Sequence, residues 1–153
     1  MGWLGLDDTD SLAGGCTTKT MENLILNLPD NVLVGTVRLV RLWPFASGRT
    51  RGNAALAVEL QSENVDSLIA HLDSWWKNEL SLLKGLVSTS HHSDRPQVPS
   101  DPGMVWFDSQ PDEIHYWTAV QSHVAISDVP IATKSWGGAG VIGATAAVAW
   151  PGL

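Results

Sequence analysis

Apolar and polar positions change period several times along the chain. Trp3, Leu4 and Leu6 make a short apolar run that stops at an acidic cluster and predicts a buried strand over 3–6. Between 17 and 28 the apolar residues Met21, Leu24, Ile25 and Leu28 recur at helical spacing, and Pro29-Asp30-Asn31 breaks the pattern. The stretch 32–42 alternates around Val37, Leu39 and Leu42 with Arg38 and Arg41 interleaved, so it reads as a strand. A second strand over 54–60 follows Trp43-Pro44-Phe45 and a polar loop, and the two are expected to pair as an antiparallel hairpin with a long connection. Leu68, Ile69, Leu72, Trp75, Trp76 and Leu80 mark an amphipathic helix over 65–83. The polar segment 88–103, with Pro96, Pro99 and Pro102, reads as a loop. A brief strand over 104–107 precedes a helix over 111–126 with Ile114, Trp117, Val120 and Val124 inward, and a small, apolar helix over 141–150 is ended by Pro151. Without a strict βαβ rhythm the class is α+β, a mixed or antiparallel sheet with packed helices.

Composition narrows this picture. The 153 residues are 44% hydrophobic and 16% charged, enough for one domain with a real core. A formal charge of −7 argues against a chain that coats nucleic acid unaided. The single cysteine, Cys16, excludes an intramolecular disulfide framework and a multi-cysteine zinc ribbon, and suits a cytoplasmic location. No basic-then-apolar leader opens the chain, and no apolar stretch is long enough to span a bilayer, so no membrane partner is expected. Eight tryptophans against two phenylalanines and one tyrosine read first as core packing, with stacking on a nucleobase as the sharper alternative.

The segment 5–18 looks built for chemistry. Asp7, Asp8 and Asp10 follow the first strand, and such carboxylates can hold a hard cation such as Mg2+. Gly14 and Gly15 then lead to Cys16-Thr17-Thr18 at a helix start, where backbone N–H groups can face a phosphate. The competing reading is a solvated turn that caps the helix. A Thr17 hydroxyl beside a metal-bound triphosphate can accept a phosphoryl group if an acid takes its proton. Cys16 reads as a small buried residue, since nearby acids disfavour its thiolate.

Arg38 and Arg41 fall on opposite faces of their strand and cannot share a pocket without a bulge. Arg49-Thr50-Arg51-Gly52-Asn53 is a better phosphate clamp, against the alternative of a solvated basic loop. His91-His92 lacks a second ligand pair for zinc. The run 138–143 matches the dinucleotide fingerprint only formally, and reads as a loop and close-packed helix start, with Lys134 and Ser135 as a second phosphate-facing edge. Asp8-Thr9-Asp10 also has the form of an aspartate-nucleophile phosphatase motif, although that fold calls for a long parallel α/β sheet.

Taken in order, the segment 5–18, Arg38-Leu-Val-Arg-Leu, Arg49-Thr-Arg-Gly-Asn-Ala-Ala, Asp101-Pro-Gly and Gly140-Val-Ile-Gly-Ala resemble the archaeal isoleucine-tRNA 2-agmatinylcytidine synthetase (TiaS) family, in its N-terminal kinase-like domain. The resemblance implies an ATP-using domain with Asp7, Asp8 and Asp10 as metal-binding and catalytic acids. It implies autophosphorylation of the threonine after the cysteine, here Thr17. Ser11, Gly14, Gly15 and Thr18, with Arg49, Arg51 and Asn53, are the expected nucleotide-binding residues. The full enzymes of that family use ATP to attach agmatine to an anticodon cytidine of an isoleucine tRNA, with further ferredoxin-like, OB-fold and zinc-ribbon parts. The expectation here is one kinase-like domain over 1–153, with part of a ferredoxin-like region around 61–100 and neither OB-fold nor zinc ribbon. ATP and Mg2+ are the expected cofactors, and tRNA is a partner only with additional domains or subunits. The alternatives left open are a nucleotide- or RNA-binding module without turnover and the aspartate-nucleophile phosphatase.

Overall fold

A computed structural model describes residues 2–7, 17–41, 54–80, 102–121, 129–138 and 140–151. Strand β1 (Gly2–Asp7) is followed by helix α1 (Thr17–Leu26), strands β2 (Leu33–Arg41) and β3 (Ala54–Gln61), and helix α2 (Val65–Trp75). A π-helical turn (Trp76–Leu80) extends α2, and β4 (Gly103–Phe107), α3 (Ile114–Gln121), β5 (Lys134–Gly137) and α4 (Gly140–Ala149) complete the order. The five strands form one sheet in the order β2-β3-β1-β4-β5, with every neighbouring pair antiparallel. From β1 to β4 the connectivity is βαββαβ with β1 and β3 central, the split βαβ arrangement of ferredoxin-like folds. The all-antiparallel sheet does not fit the parallel architecture that the phosphatase alternative calls for.

Period-two alternation divides β1 between two cores. Leu4 and Leu6 lie with Leu56, Val58, Leu60, Met104 and Trp106 under Met21 and Leu24 of α1 and Leu68 and Leu72 of α2. Trp3 lies on the other face with Ala55, Ala57, Val105 and Phe107, under α4 and Ala119 of α3. The result is helix, sheet and helix in three layers. The small row Ala57 and Gly5 lets α4 approach the sheet closely: a Cβ at Gly5 would lie 2.4 Å from the Ala144 carbonyl oxygen. Nearly all of α4 is buried in consequence, which explains its lack of a polar face.

Caps set several boundaries. The Asn64 side chain accepts the Ser67 N–H at 3.0 Å and starts α2. Asp112 accepts the Ile114 N–H at 3.0 Å, so the third helix begins at Ile114 rather than at 111. Its expected inward stripe is also corrected: Ile114 and Trp117 are 56% and 39% exposed, while Ala119 is buried and Tyr116 packs against the α4 side. Val120 and Val124 lie outside the described side chains. The helix expected over 65–83 is α-helical only to Trp75; the π-helical turn follows, and Trp76 packs against the backbone of Gly137. Gly137 has φ +95°, a conformation that glycine adopts without a Cβ clash.

Strand β5 carries no alternation in the sequence, because only Trp136 of its four residues is buried. The Trp136 indole N–H donates to Asp73 Oδ1 at 3.1 Å, and Lys77 lies 3.2 Å from the other oxygen. The indole, then Lys77, holds the Asp73 carboxyl below the usual carboxylate range. Trp3, Trp106 and Trp136 are buried and Trp75, Trp76 and Trp150 partly so, which favours the packing role of the tryptophans.

Candidate functional site

The register of the sheet brings the described residues that flank the chemically suspect segments to one end of the sheet. Asp7, last in β1, stands opposite Gly103, first in β4, and Gly103 stands opposite Gly137, last in β5. On the other side of β1, Leu6 pairs with Leu56, and Ala54 at the start of β3 pairs with Arg41 at the end of β2. The mouth of the 42–53 connection therefore opens at the same sheet end as Asp7. Strands β1 and β2 are both antiparallel to β3 and so run parallel to each other; α1 returns the chain from the Asp7 end to Leu33 at the far end. That path places the N-terminus of α1 at the Asp7 end of the sheet.

The fourth helix also begins there. Gly138 donates its N–H to the Pro102 carbonyl at 3.1 Å, and Val141 donates to the Gly138 carbonyl at 3.0 Å, which turns the chain into α4. Gly103 is indispensable to this approach, since a Cβ there would lie 2.0 Å from the Val141 nitrogen and 2.3 Å from the Gly140 carbonyl carbon. Trp3, Gly5 and Asp7 alternate onto the sheet face that α4 covers, so half-buried Asp7 is the cross-strand neighbour of the glycine on which α4 starts. The glycine-rich run 138–143 thus acts as a helix start on an antiparallel edge strand, not as a dinucleotide fingerprint.

Of the expected site residues, the structure describes Asp7 and the backbone of Thr17 and Thr18 in the first turn of α1. Asp8, Asp10, Ser11, Gly14, Gly15, Arg49, Arg51 and Asn53, like Cys16, His91 and His92, lie outside the described residues. No group of three metal-binding side chains occurs among the described residues, so a three-carboxylate site has Asp7 as its one described member. Lys134 and Ser135 are not part of this end: they pair with Trp106 and Val105, further along the sheet, and Lys134 Nζ lies 5.8 Å from the Trp136 ring centroid. Arg38 is also elsewhere, turned onto the α4 face with its guanidinium 4.6 Å from the Trp3 ring centroid. The register of β2 shifts only between Val34 and Val37, so no bulge intervenes between positions 38 and 41, and the Arg41 side chain lies outside the described side chains.

Residues 3–139 match the TiaS TCKD domain family. The chain belongs to that family. It is 32% identical over 170 residues to the isoleucine-tRNA 2-agmatinylcytidine synthetase TiaS of Thermoplasma volcanium, a match covering 97% of this chain and 38% of that protein. It is 31% identical over 159 residues to the synthetase of Caldivirga maquilingensis, covering 95% and 35%. The fold agrees with a crystal structure of TiaS in complex with its isoleucine tRNA and ATP at a TM-score of 0.66 and 26% identity, over 97% of this chain and 36% of that one. Apo TiaS aligns at 0.63 and 26%, over 97% and 35%. The chain therefore spans little more than a third of the length of these relatives. Among the described residues no helix is long and apolar enough to cross a membrane.

Proposed function

We propose that this TCKD-family chain binds ATP with Mg2+ at the Asp7 end of the sheet and transfers the γ-phosphoryl group to Thr17, as one step of an isoleucine-tRNA modification. The observation that carries the reading is the convergence at one sheet end of Asp7, the N-terminal turn of α1 and the mouth of the 42–53 connection. Family membership and the fold shared with an ATP-bound TiaS support it. The donor set is chemically apt, because clustered carboxylates supply the oxygen ligands that Mg2+ prefers.

Asp7, Asp8 and Asp10 would hold the cation, which when bound offsets the charge of the phosphates. Gly14, Gly15 and the backbone N–H groups at the start of α1 would cradle phosphate oxygens, with Ser11 and Thr18 beside them. Arg49, Arg51 and Asn53 would close on the triphosphate from the β2–β3 side and stabilise charge developing in transfer. In the transfer itself, Thr17 Oγ1 forms a bond to Pγ while the bond from Pγ to the β,γ-bridging oxygen breaks. ADP leaves, and the hydroxyl proton passes to a carboxylate of the cluster. The net charge of −7 favours a tRNA grip supplied by further domains or subunits rather than by this chain alone. We propose the whole chain, 1–153, as a single unit of this kind.

Incubation with γ-labelled ATP and Mg2+, followed by mass-spectrometric mapping, tests the reading. Label is expected on Thr17 and absent from Thr17→Val. Wild-type protein that neither binds nucleotide nor acquires label overturns it. Undiminished ATP binding without any turnover would instead identify a binding module.

A further inference from the structure

Helix α4 is held at both ends, and the glycine contacts at its start explain only one of them. Its C-terminus meets Arg38, whose Nη1 donates to the Trp150 carbonyl oxygen at 3.2 Å. The same guanidinium lies 4.6 Å from the Trp3 ring centroid and 5.6 Å from that of Trp150. Gln110 adds a second hold, its Nε2 donating to the carbonyls of Val148 at 3.0 Å and Trp150 at 2.7 Å. Tyr116 packs on Trp150 at a centroid separation of 6.4 Å. A cation at the carbonyl end of a helix is also favoured by the helix dipole. Arg38 reaches this position because its cross-strand neighbour is Ala57, a side chain too small to obstruct it.

Nothing soft separates this clasp from the candidate site. The helix is about 15 Å long at roughly 1.5 Å per residue, and its hydrogen bonds make it stiff along its axis. It rests on the bare backbone of Gly5 midway and of Gly103 at its start, so no flexible side chain at those points can absorb a displacement. Gly103 is the cross-strand partner of Asp7.

We infer that Arg38 is a positioning residue which, through α4, sets where Asp7 stands, and that Gln110 assists it from β4's side of the helix end. The inference rests on the assignment of Asp7 to the Mg2+ site. It gives a role to a basic residue that lies away from the proposed phosphate clamp. Arg38 itself touches neither nucleotide nor metal; it keeps the axial position of α4 fixed.

The test is the affinity of the protein for Mn2+ in the presence of ATP, read from the electron paramagnetic resonance signal of the free ion against a titration of ATP alone, which accounts for the Mn2+ that free ATP binds. Arg38→Met and Gln110→Leu are expected to weaken Mn2+ binding five- to tenfold, with Arg38→Lys between them and wild type. The Michaelis constant for ATP at saturating Mg2+ should stay within twofold. Leu39→Ser, an exposed position on the opposite face of β2, is expected to change neither. A merely structural role would lower the fraction of competent protein without moving the Mn2+ affinity of the remainder. Unchanged affinity in folded Arg38→Met and Gln110→Leu overturns the inference, and if Arg38→Met does not fold, the Gln110→Leu result decides. Wild-type protein that binds no Mn2+ with ATP overturns the metal-site assignment as well, so the two failures are distinguished by the wild-type arm.

Discussion

Replacing Gly5 with alanine is a one-carbon change with a defined consequence. The added Cβ would lie 2.4 Å from the Ala144 carbonyl oxygen and 2.9 Å from Val148 Cγ2, whereas ordinary contact begins at 3.4 Å. Helix α4 must therefore retreat from the sheet by about 1 Å, and the atoms in the way are mainly its own backbone. Overpacking of this kind costs about 1–3 kcal/mol. Alanine is intrinsically better than glycine within regular structure by roughly 0.5–1 kcal/mol, which offsets part of the loss. For a domain of this size each kcal/mol lowers the Tm by about 2–4 °C, so the net loss of roughly 1–1.5 kcal/mol predicts a fall of roughly 2–6 °C. Scanning calorimetry of Gly5→Ala beside Gly35→Ala provides the comparison. Gly35 lies on the exposed edge strand, where the new Cβ would be 3.2 Å from the Glu59 carbonyl oxygen, and its substitution should stay within about 0.5 kcal/mol of wild type. Equal Tm values for Gly5→Ala and wild type would refute the argument that α4 rests directly on the β1 backbone.

Leu72→Ala removes a fully buried α2 side chain and should cost about 2–5 kcal/mol in urea unfolding; a loss below about 1 kcal/mol would contradict its place in the core. Trp136→Phe removes the indole N–H that chiefly depresses the Asp73 pKa, so the Asp73 midpoint in a 13C NMR titration should rise towards the ordinary carboxylate value. Because that pKa is depressed in the folded state, its stabilising effect is present above the unfolded value of about 4 and is lost as pH falls through the folded value. The stability gap between wild type and Trp136→Phe should accordingly narrow on acidification through that window, and an unmoved midpoint would remove the assigned cause. Asp7→Asn should leave the Tm within about 2 °C while reducing Mg2+-dependent ATP turnover on the order of 100-fold, and an active Asp7→Asn protein would take Asp7 out of the site.

Most of the architecture is legible in the sequence because β1, α1, β3 and α4 each carry an unbroken period or a continuous apolar run. Strand β2 is legible from its β-branched residues, although Val37 and Leu39 are 40% and 52% exposed and half-buried Arg38 takes the α4 face. The failures have specific causes. In α3, the stripe of Ile114 and Trp117 is the more hydrophobic one, but α3 packs through Tyr116 and small Ala119 into the core that α4 covers. A scale that weights alanine lightly selects the wrong face. Strand β5 has one buried residue in four and leaves no alternation to read. Trp75 and Trp76 both match a broad helical stripe, so periodicity does not mark the change to π-helical geometry at Trp76, whose ring lies against Gly137, far away in sequence. Of the candidate site, sequence supplies the residue types and their order. It could not supply the register that sets Asp7 opposite Gly103, nor the clasp of Arg38 on Trp3 and Trp150, because each depends on pairing between distant segments.

The first of the described strands to be synthesised occupies the centre of the sheet, and this has a consequence for how the protein is made. As the chain leaves the ribosome, β1 must wait for β3 and β4 before either edge is paired. Its Trp3 face waits longer still, since α4 is the last of the described elements to emerge. At about 5–20 residues per second, the delay between β1 and α4 is on the order of ten seconds. During that interval the surface destined to lie under α4 is open to other nascent chains and to chaperones. Translation that stalls before Gly140 would release a polypeptide with this apolar face uncovered, making it a substrate for chaperone capture or aggregation rather than a smaller version of the folded protein.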